Sequence, residues 1–294
     1  MDKEKRTIMR KLQLITLSLC LLFVGVSYAQ KHSETITDQK RFPSNSSENL
    51  LVVYNVNGPV RVEGTNGNEV SVTVKKTIEG NNTRQLEQGK SEIGIKVETR
   101  GNIIYVYHDS PYTEFNLETG RFNHKGSWNG SKYHYKLDIT VKVPKNTNLE
   151  LSTINNGDIF ASRVEANDIT VSNINGAITL EDIAGKTYAN ALNKDINISY
   201  SKNPSKDSKY ASLNGDININ VQSGLNADIS FKSLNGDIYT NLETRSSSGA
   251  MEMSKRKGKK GTKYKMNKDT QFQIGSGGVQ LDFDVLNGDV TIKG

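Results

Sequence analysis

The sequence predicts an all-β fold: a β-solenoid, a single-stranded β-helix-like stack of short strands, with an N-terminal β region before it. Two observations predict it. A turn of the form Asn-Gly-Asp-Ile recurs through the C-terminal half, and the segments between turns alternate apolar and polar residues with a period of two. A third says what holds the fold together. Cys20 is the only cysteine and lies in the leader, so disulfides and thiolate metal sites are excluded downstream.

The leader is residues 1–29. Lys3, Lys5, Arg6, Arg10 and Lys11 precede an apolar run from Leu12 to Val26, and Ser27-Tyr28-Ala29 places small residues at the two positions a signal peptidase reads. The run is short for a membrane span and no stop-transfer charges follow it. The expectation is an exported mature chain from Gln30, with no transmembrane span, that is periplasmic, on the outer surface or secreted. Residues 30–49, rich in Ser, Asn and Thr, read as a polar linker.

The N-terminal β region spans residues 50–143. Strand signals stand at 50–54, 60–62, 70–74, 93–97 and 103–107, and residues 83–91, which lack alternation, read as one short helix. Residues 108–134 break the rhythm with Gly, Asn, Ser and several aromatic residues, as a long loop or an extended hairpin. Alternation returns at 135–143 and stops at Pro144, which has no N–H to donate to a ladder.

The repeat region spans residues 144–294. Its copies are Asn156-Gly157-Asp158-Ile159, Asn175-Gly176-Ala177-Ile178, Asn193-Lys194-Asp195-Ile196, Asn214-Gly215-Asp216-Ile217, Asn235-Gly236-Asp237-Ile238 and Asn287-Gly288-Asp289-Val290. Their second positions step by 19, 18, 21, 21 and then 52 residues. A unit of this length holds two strands, and identical residues at a constant period are useful when like stacks on like. A β-sandwich is the competing arrangement. Asn-Gly tolerates positive φ at a tight corner, so the glycines are expected to set chain direction, with a cost of about 1–2 kcal/mol for Gly215→Val if that residue is left-handed. In the best copy Ile217, Ile219 and Val221 face the core while Asp216, Asn218 and Asn220 face out. Stacked asparagines are expected to form a hydrogen-bonded ladder. The aspartates read as exposed turn residues serving solubility; one carboxylate per turn is too few for calcium.

With these repeats in view the chain resembles the bacterial putative-adhesin family of β-strand-repeat envelope proteins. The residues that carry the likeness are Val143-Pro144-Lys145-Asn146-Thr147-Asn148-Leu149-Glu150-Leu151, the Asn-Gly-Asp copies, and Gly275-Ser276-Gly277-Gly278-Val279 before the last copy. The resemblance implies a repetitive β fold outside the cytoplasmic membrane with an adhesion or interaction role and no catalytic residues to carry over.

The net charge of +6 is uneven. The leader supplies +3 and residues 245–268 supply +8, so the rest of the mature chain sums to −5, which removes the basis for nucleic-acid binding. The basic insertion, with Lys255, Arg256, Lys257, Lys259 and Lys260, is a candidate contact for a lipid headgroup or an acidic glycan, or a solvated loop, or a cover for the open end of the stack after Gly294. Tyr112, Phe122, Trp128 and Tyr133 are candidates for stacking on a glycan or anchoring a protein; the competing reading folds these rings into a satellite core. His32, His108, His124 and His134 lie outside the repeats at irregular spacing and read as solvated. No cofactor motif and no hydrolase signature occurs. The function read from the sequence is therefore a non-catalytic envelope scaffold binding a glycan, lipid headgroup or protein. A periplasmic accessory for envelope sensing or assembly is the alternative within that class, and a carbohydrate-active β-helix enzyme the alternative outside it.

Overall fold

A computed structural model describes residues 30–117, 121–125, 132–246, 254–258, 261–265 and 269–294. The leader, Trp128, Lys259 and Lys260 lie outside the described residues.

Two facing sheets enclose one long core. The first runs, in spatial order, β1 (Gln30–Arg41), β4 (Glu69–Gly80), β9 (Tyr133–Pro144), β3 (Val60–Thr65), β11 (Ile159–Ser162), the first half of β13 (Ile178–Ala191), β14 (Ile196–Tyr200), β16 (Ile217–Asn220), β24 (Val290–Lys293), β18 (Ile238–Thr240), β21 (Gly261–Lys265) and β20 (Ser254–Gly258). The second runs β5 (Gly94–Arg100), β6 (Ile103–Asp109), β2 (Leu50–Tyr54), β10 (Asn148–Thr153), β12 (Glu165–Asn173), the second half of β13, β15 (Ser208–Asn214), β23 (Val279–Asn287), β17 (Ala227–Asn235), β22 (Asp269–Ile274) and β19 (Thr244–Ser246). The fold is a β-solenoid: each coil gives one strand to each sheet, and the interior pairings are parallel and in register. Parallel register is what makes the repeat useful, because Val60, Ile159, Ile178, Ile196, Ile217, Val290 and Ile238 then stack as one buried row.

Both ends of the stack turn antiparallel. At the N-terminal end β4 pairs with β1 and β9 along twelve- and ten-residue registers, and helix α1 (Thr83–Glu92) packs beside them. Asn82 caps this helix by accepting the Gln85 N–H at 3.0 Å, and buried Gly89 lets it approach Ile78 and Tyr133. Residues 30–41 are thus a strand and not part of a linker. Their sequence holds one aliphatic residue, Ile36, so the strand owes its existence to the β4 edge it covers.

The coil order departs from the chain order. β16 and β17 are consecutive in sequence, yet β23 lies between β15 and β17, and β24 between β16 and β18. The C-terminal coil is therefore internal, and Gly294 does not mark an open end of the stack. The end lies at the coil of β17 and β18; the basic insertion covers β18 through β21, and β22, which follows the insertion, covers β17. Deleting residues 245–268 should uncover β18 and drive self-association, detected as a dimer or larger species by analytical ultracentrifugation; a strictly monomeric deletion variant would contradict this role.

The corners assign most motif residues a different task from the one their turn chemistry suggests, although Gly215 and Gly288 do take the expected positive φ, 158° and 151°. None of Asn175, Asn193, Asn214, Asn235 and Asn287 has a positive φ, and neither do Gly157, Gly176 and Gly236. Glycine is needed because a Cβ would strike the backbone of the next coil: 2.1 Å from the Gly58 carbonyl carbon at Gly157, 2.0 Å from the Gly157 oxygen at Gly176, 2.4 Å from the Lys194 oxygen at Gly215, 1.8 Å from the Gly288 oxygen at Gly236 and 2.3 Å from the Gly215 oxygen at Gly288. The asparagine ladder is present. Asn175 donates to Asn155 at 2.7 Å, Asn193 to Asn175 at 2.8 Å, Asn214 to Asn193 at 3.4 Å, Asn287 to Asn214 at 2.9 Å and Asn235 to Asn287 at 2.8 Å. In the first copy the ladder residue is Asn155, while Asn156 takes a left-handed φ of 55° and donates to Asn57.

The aspartates are structural. The Asp158 carboxylate accepts the Ala177 N–H, Asp195 that of Asp216, Asp216 that of Asp289 and Asp289 that of Asp237, each at 2.9 Å. Each caps a corner amide that the ladder of strands leaves over. Asp195→Ala should cost about 1–2 kcal/mol in urea unfolding, and Asp195→Asn, whose amide oxygen still accepts, clearly less; equal losses for both would rule out the capping role.

Candidate functional site

Three regions carry the residues singled out by sequence. In the first, β7 (Thr113–Asn116) and β8 (Arg121–His124) form a hairpin that lies on the outer face of the second sheet. Phe115 stacks on Tyr107 at 4.9 Å between ring centroids and packs against Tyr105 and Tyr54 at 5.6 and 6.0 Å, forming with Val52 a small second core. Phe122 stands on β8. Tyr133 is 4 % exposed and packs against the helix, so it presents no ring to a ligand. Tyr133 and Tyr112 both donate to one Glu92 oxygen, at 2.7 and 3.0 Å. Burial pushes the Glu92 carboxyl up, but hydrogen bonds from Gln88, Tyr133 and Tyr112 outweigh it and hold the group below the ordinary carboxylate range. Burial, reinforced by Glu92, pushes the Tyr133 hydroxyl far up, so it stays a donor at any physiological pH. Two of the four candidate rings therefore pin the hairpin and helix to the body.

His108 is buried, not solvated: it stacks on Tyr135 at 5.2 Å with Thr113 Oγ1 3.3 Å from its Nδ1. His32 is on β1 and His134, exposed, on β9. Among the described residues no group of three or more His, Cys, Asp or Glu side chains is placed to hold a metal ion.

The second region is the basic insertion. Lys255, Arg256 and Lys257 stand on β20, the outermost strand of the first sheet, whose partner β21 seals β18. These residues are part of the closure of the stack.

The third region was not singled out by sequence. Along one edge of the solenoid, loop 42–49, turn 65–68 and turn 144–146 enclose a cleft of about 920 Å³. It adjoins, through Thr65, Asn66 and Lys145, a second cleft of about 420 Å³ that reaches Arg163, Asp182 and Lys202. The basic groups of the second cleft are paired: Arg163 with Glu63, and both Lys145 and Lys202 with Glu165. Hydrogen bonds from Lys202 and then Lys145 hold the Glu165 carboxyl below its ordinary range. A smaller cleft of about 390 Å³ lies on the outer face of β1, β4 and β9, bordered by Lys75, His134 and the pairs Lys31–Glu79 and Lys136–Asp138, both at 2.7 Å.

The alignment that decides the family runs from residue 49 to 293, where the sequence matches the model of Toastrack DUF4097. The chain belongs to the Toastrack DUF4097 family. The match takes in both the N-terminal β region and all six repeat corners, and leaves out β1, which covers the β4 edge from outside it. Among solved structures, a putative cell adhesion protein from Clostridium sporogenes is 11 % identical, with 90 % of this chain and 99 % of that one covered and a TM-score of 0.42. A putative adhesin from Bacteroides fragilis is 12 % identical over 88 % and 96 %, TM-score 0.32. A putative lipid binding protein from Parabacteroides distasonis is 11 % identical over 89 % and 97 %, TM-score 0.31. No curated protein matches. Among the described residues no helix of the Toastrack chain is long and apolar enough to cross a membrane.

Proposed function

We propose that this Toastrack chain is a non-catalytic, extracytoplasmic scaffold of the bacterial envelope that binds a partner through its loops, as an adhesin or interaction protein. The observation that carries the reading is the employment of the groups a catalyst would use. Four repeat aspartates hold corner amides, Glu92 holds two tyrosines, Glu165 holds two lysines, and His108 is buried in a ring stack. Acid–base chemistry needs such groups converging on a reacting atom with room for substrate. The export leader supports a location beyond the cytoplasmic membrane.

The test uses residues 30–294. Saturable binding to isolated envelope fractions, without release of reducing sugar ends from them, is the expected result. Turnover of envelope polysaccharide would replace the scaffold reading with the enzymatic one. Protease accessibility on intact cells separates a surface adhesin from a periplasmic accessory protein.

A further inference from the structure

The double cleft at the solenoid edge has properties that the stack itself does not require. Asn49 is 4 % exposed, its amide nitrogen donates to the Ser44 carbonyl at 2.8 Å, and its Oδ1 has no hydrogen-bond partner among the described residues. The hydroxyl of the fully buried Thr147, beside this wall, is likewise unpartnered. Unpaired buried polar atoms are uncommon and call for an explanation; here they stand beside the groove at Asn49 and Thr147, and also away from it at Ser212 and Ser233. Asn66 and Asn68 flank Gly67 at an exposed turn, opposite Asn45 and Asn146, which bond each other at 3.0 Å across the cleft wall. In the adjoining lobe Arg163 and Asp182 occupy successive coils with φ of 57° and 55°. Of the three non-glycine residues with positive φ among the described residues, two thus line this groove. Non-glycine residues other than Asn and Asp seldom adopt that conformation, which makes Arg163 the notable one, and such positions cluster at functional sites.

We infer that this groove binds an uncharged linear polysaccharide. The assignment rests on the reading of the chain as a binding scaffold and names its ligand class. Side-chain amides both donate and accept, as sugar hydroxyls do, so a wall of asparagines matches a hydroxyl-rich ligand. Phe42 and Pro43 add an apolar surface suited to the C–H face of a sugar ring. Charge argues against the other classes. The cations lining the two lobes are each already paired with a carboxylate, Arg41 with Glu69, Lys145 and Lys202 with Glu165 and Arg163 with Glu63, which blunts their pull on an anionic lipid or nucleic acid, and Asp182 alone makes no cation site. The walls are turns instead of a free strand edge, so they offer a peptide no strand to extend. The groove lining reaches from Arg41 at the end of β1 to Lys202 after β14, across seven adjacent strands of the first sheet and about 29 Å at the usual strand spacing, which suits a chain more than a monosaccharide.

Gly67 supplies a clean probe, because a Cβ there meets only Thr65 Oγ1, at 3.6 Å. Isothermal titration of residues 30–294 would use neutral linear hexasaccharides of glucose, mannose and N-acetylglucosamine, with phosphatidylglycerol vesicles and a random peptide pool as parallel arms. The expected result is saturable binding of at least one hexasaccharide, weakened tenfold or more by Gly67→Tyr and by the double change Asn66→Ala, Asn68→Ala, at unchanged melting temperature. Failure of every neutral hexasaccharide overturns the inference, and so does equal binding by wild type and Gly67→Tyr, or groove-dependent binding of vesicles or peptides alone. Envelope fractions that bind both wild type and Gly67→Tyr equally would keep the scaffold reading and remove this groove from it; no binding to any fraction would remove both.

Discussion

Replacing Gly157 by alanine is expected to remove at least about 4 kcal/mol of stability, a loss that belongs to the rare extreme for one methyl group. The added Cβ would lie 2.1 Å from the Gly58 carbonyl carbon, 2.2 Å from the Pro59 nitrogen and 2.3 Å from the Gly58 oxygen. All three are backbone atoms fixed by the pairing of β3 with β11 and β2 with β10, so no side chain can swing aside. Relief requires parting two coils, and in a stack held by nearest-neighbour contacts that separates the N-terminal region from the repeats. Two controls isolate the cause. Gly67→Ala, in open space, should change stability by less than about 0.5 kcal/mol, and Gly101→Ala, at φ 55° with nothing within 4 Å, should cost about 1 kcal/mol from conformation alone. Urea unfolding of the three variants measures this directly. A Gly157→Ala protein no weaker than the Gly101 variant would show that the corner yields more easily than its geometry implies.

Truncation after residue 278 is expected to be more damaging than its position suggests. It removes β23 and β24, and with them Leu281, Phe283, Val285, Val290 and Ile292, each at most 1 % exposed. At about 1.5–3 kcal/mol per buried side chain, the gross loss is about 8–15 kcal/mol, as large as the net stability of an ordinary domain. It also leaves Tyr210 without the Phe283 ring stacked 5.0 Å away, and sets β15 and β17 facing a strand-wide gap. The shortened chain should lose cooperative melting of the repeat region and aggregate. A truncation after residue 222 removes more residues but ends the stack on β15 and β16 with no gap, and should remain the more soluble of the two. If the 278 truncation melted cooperatively near the parent temperature, the internal placement of the last coil would be wrong.

Much of this architecture was readable from local pattern. The inward row Ile217, Ile219 and Val221 is buried, the strands at 50–54, 103–107 and 135–143 fall where alternation places them, and a short helix spans Thr83–Glu92. Period two is a local property, and a half-buried strand declares it. β1 was missed because QKHSETITDQKR carries no such pattern; its strand state comes from the edge of β4. The internal last coil could not be read, because equivalent repeats are interchangeable in sequence and a 52-residue step says nothing of which neighbour the copy joins. The aromatic residues fitted either a surface site or a satellite core, and for Tyr133 and Tyr112 the structure shows packing and the bonds to Glu92, since a ring's bulk signals burial as readily as contact. The edge groove drew no attention because its walls come from residues about a hundred positions apart. The asparagines at 45, 49, 66, 68 and 146 were the only trace, hidden among turn residues of the same kind.

The placement of the final coil also sets a timetable. Residues 208–214 find their neighbours 73 positions later, in 279–287, so the slot between β15 and β17 stays empty until residues 279–287 have emerged. Long-range closures of this sort are slow, since loop entropy is spent before any contact is gained. The N-terminal region and the first repeats can zip in order as the chain is made, while β15 to β18 wait for residues 279–293. Emergence of that segment, from the ribosome or from passage across a membrane, thereby becomes the event that releases folding of these coils, and a chain held back before it remains unlocked and open to a chaperone or a protease.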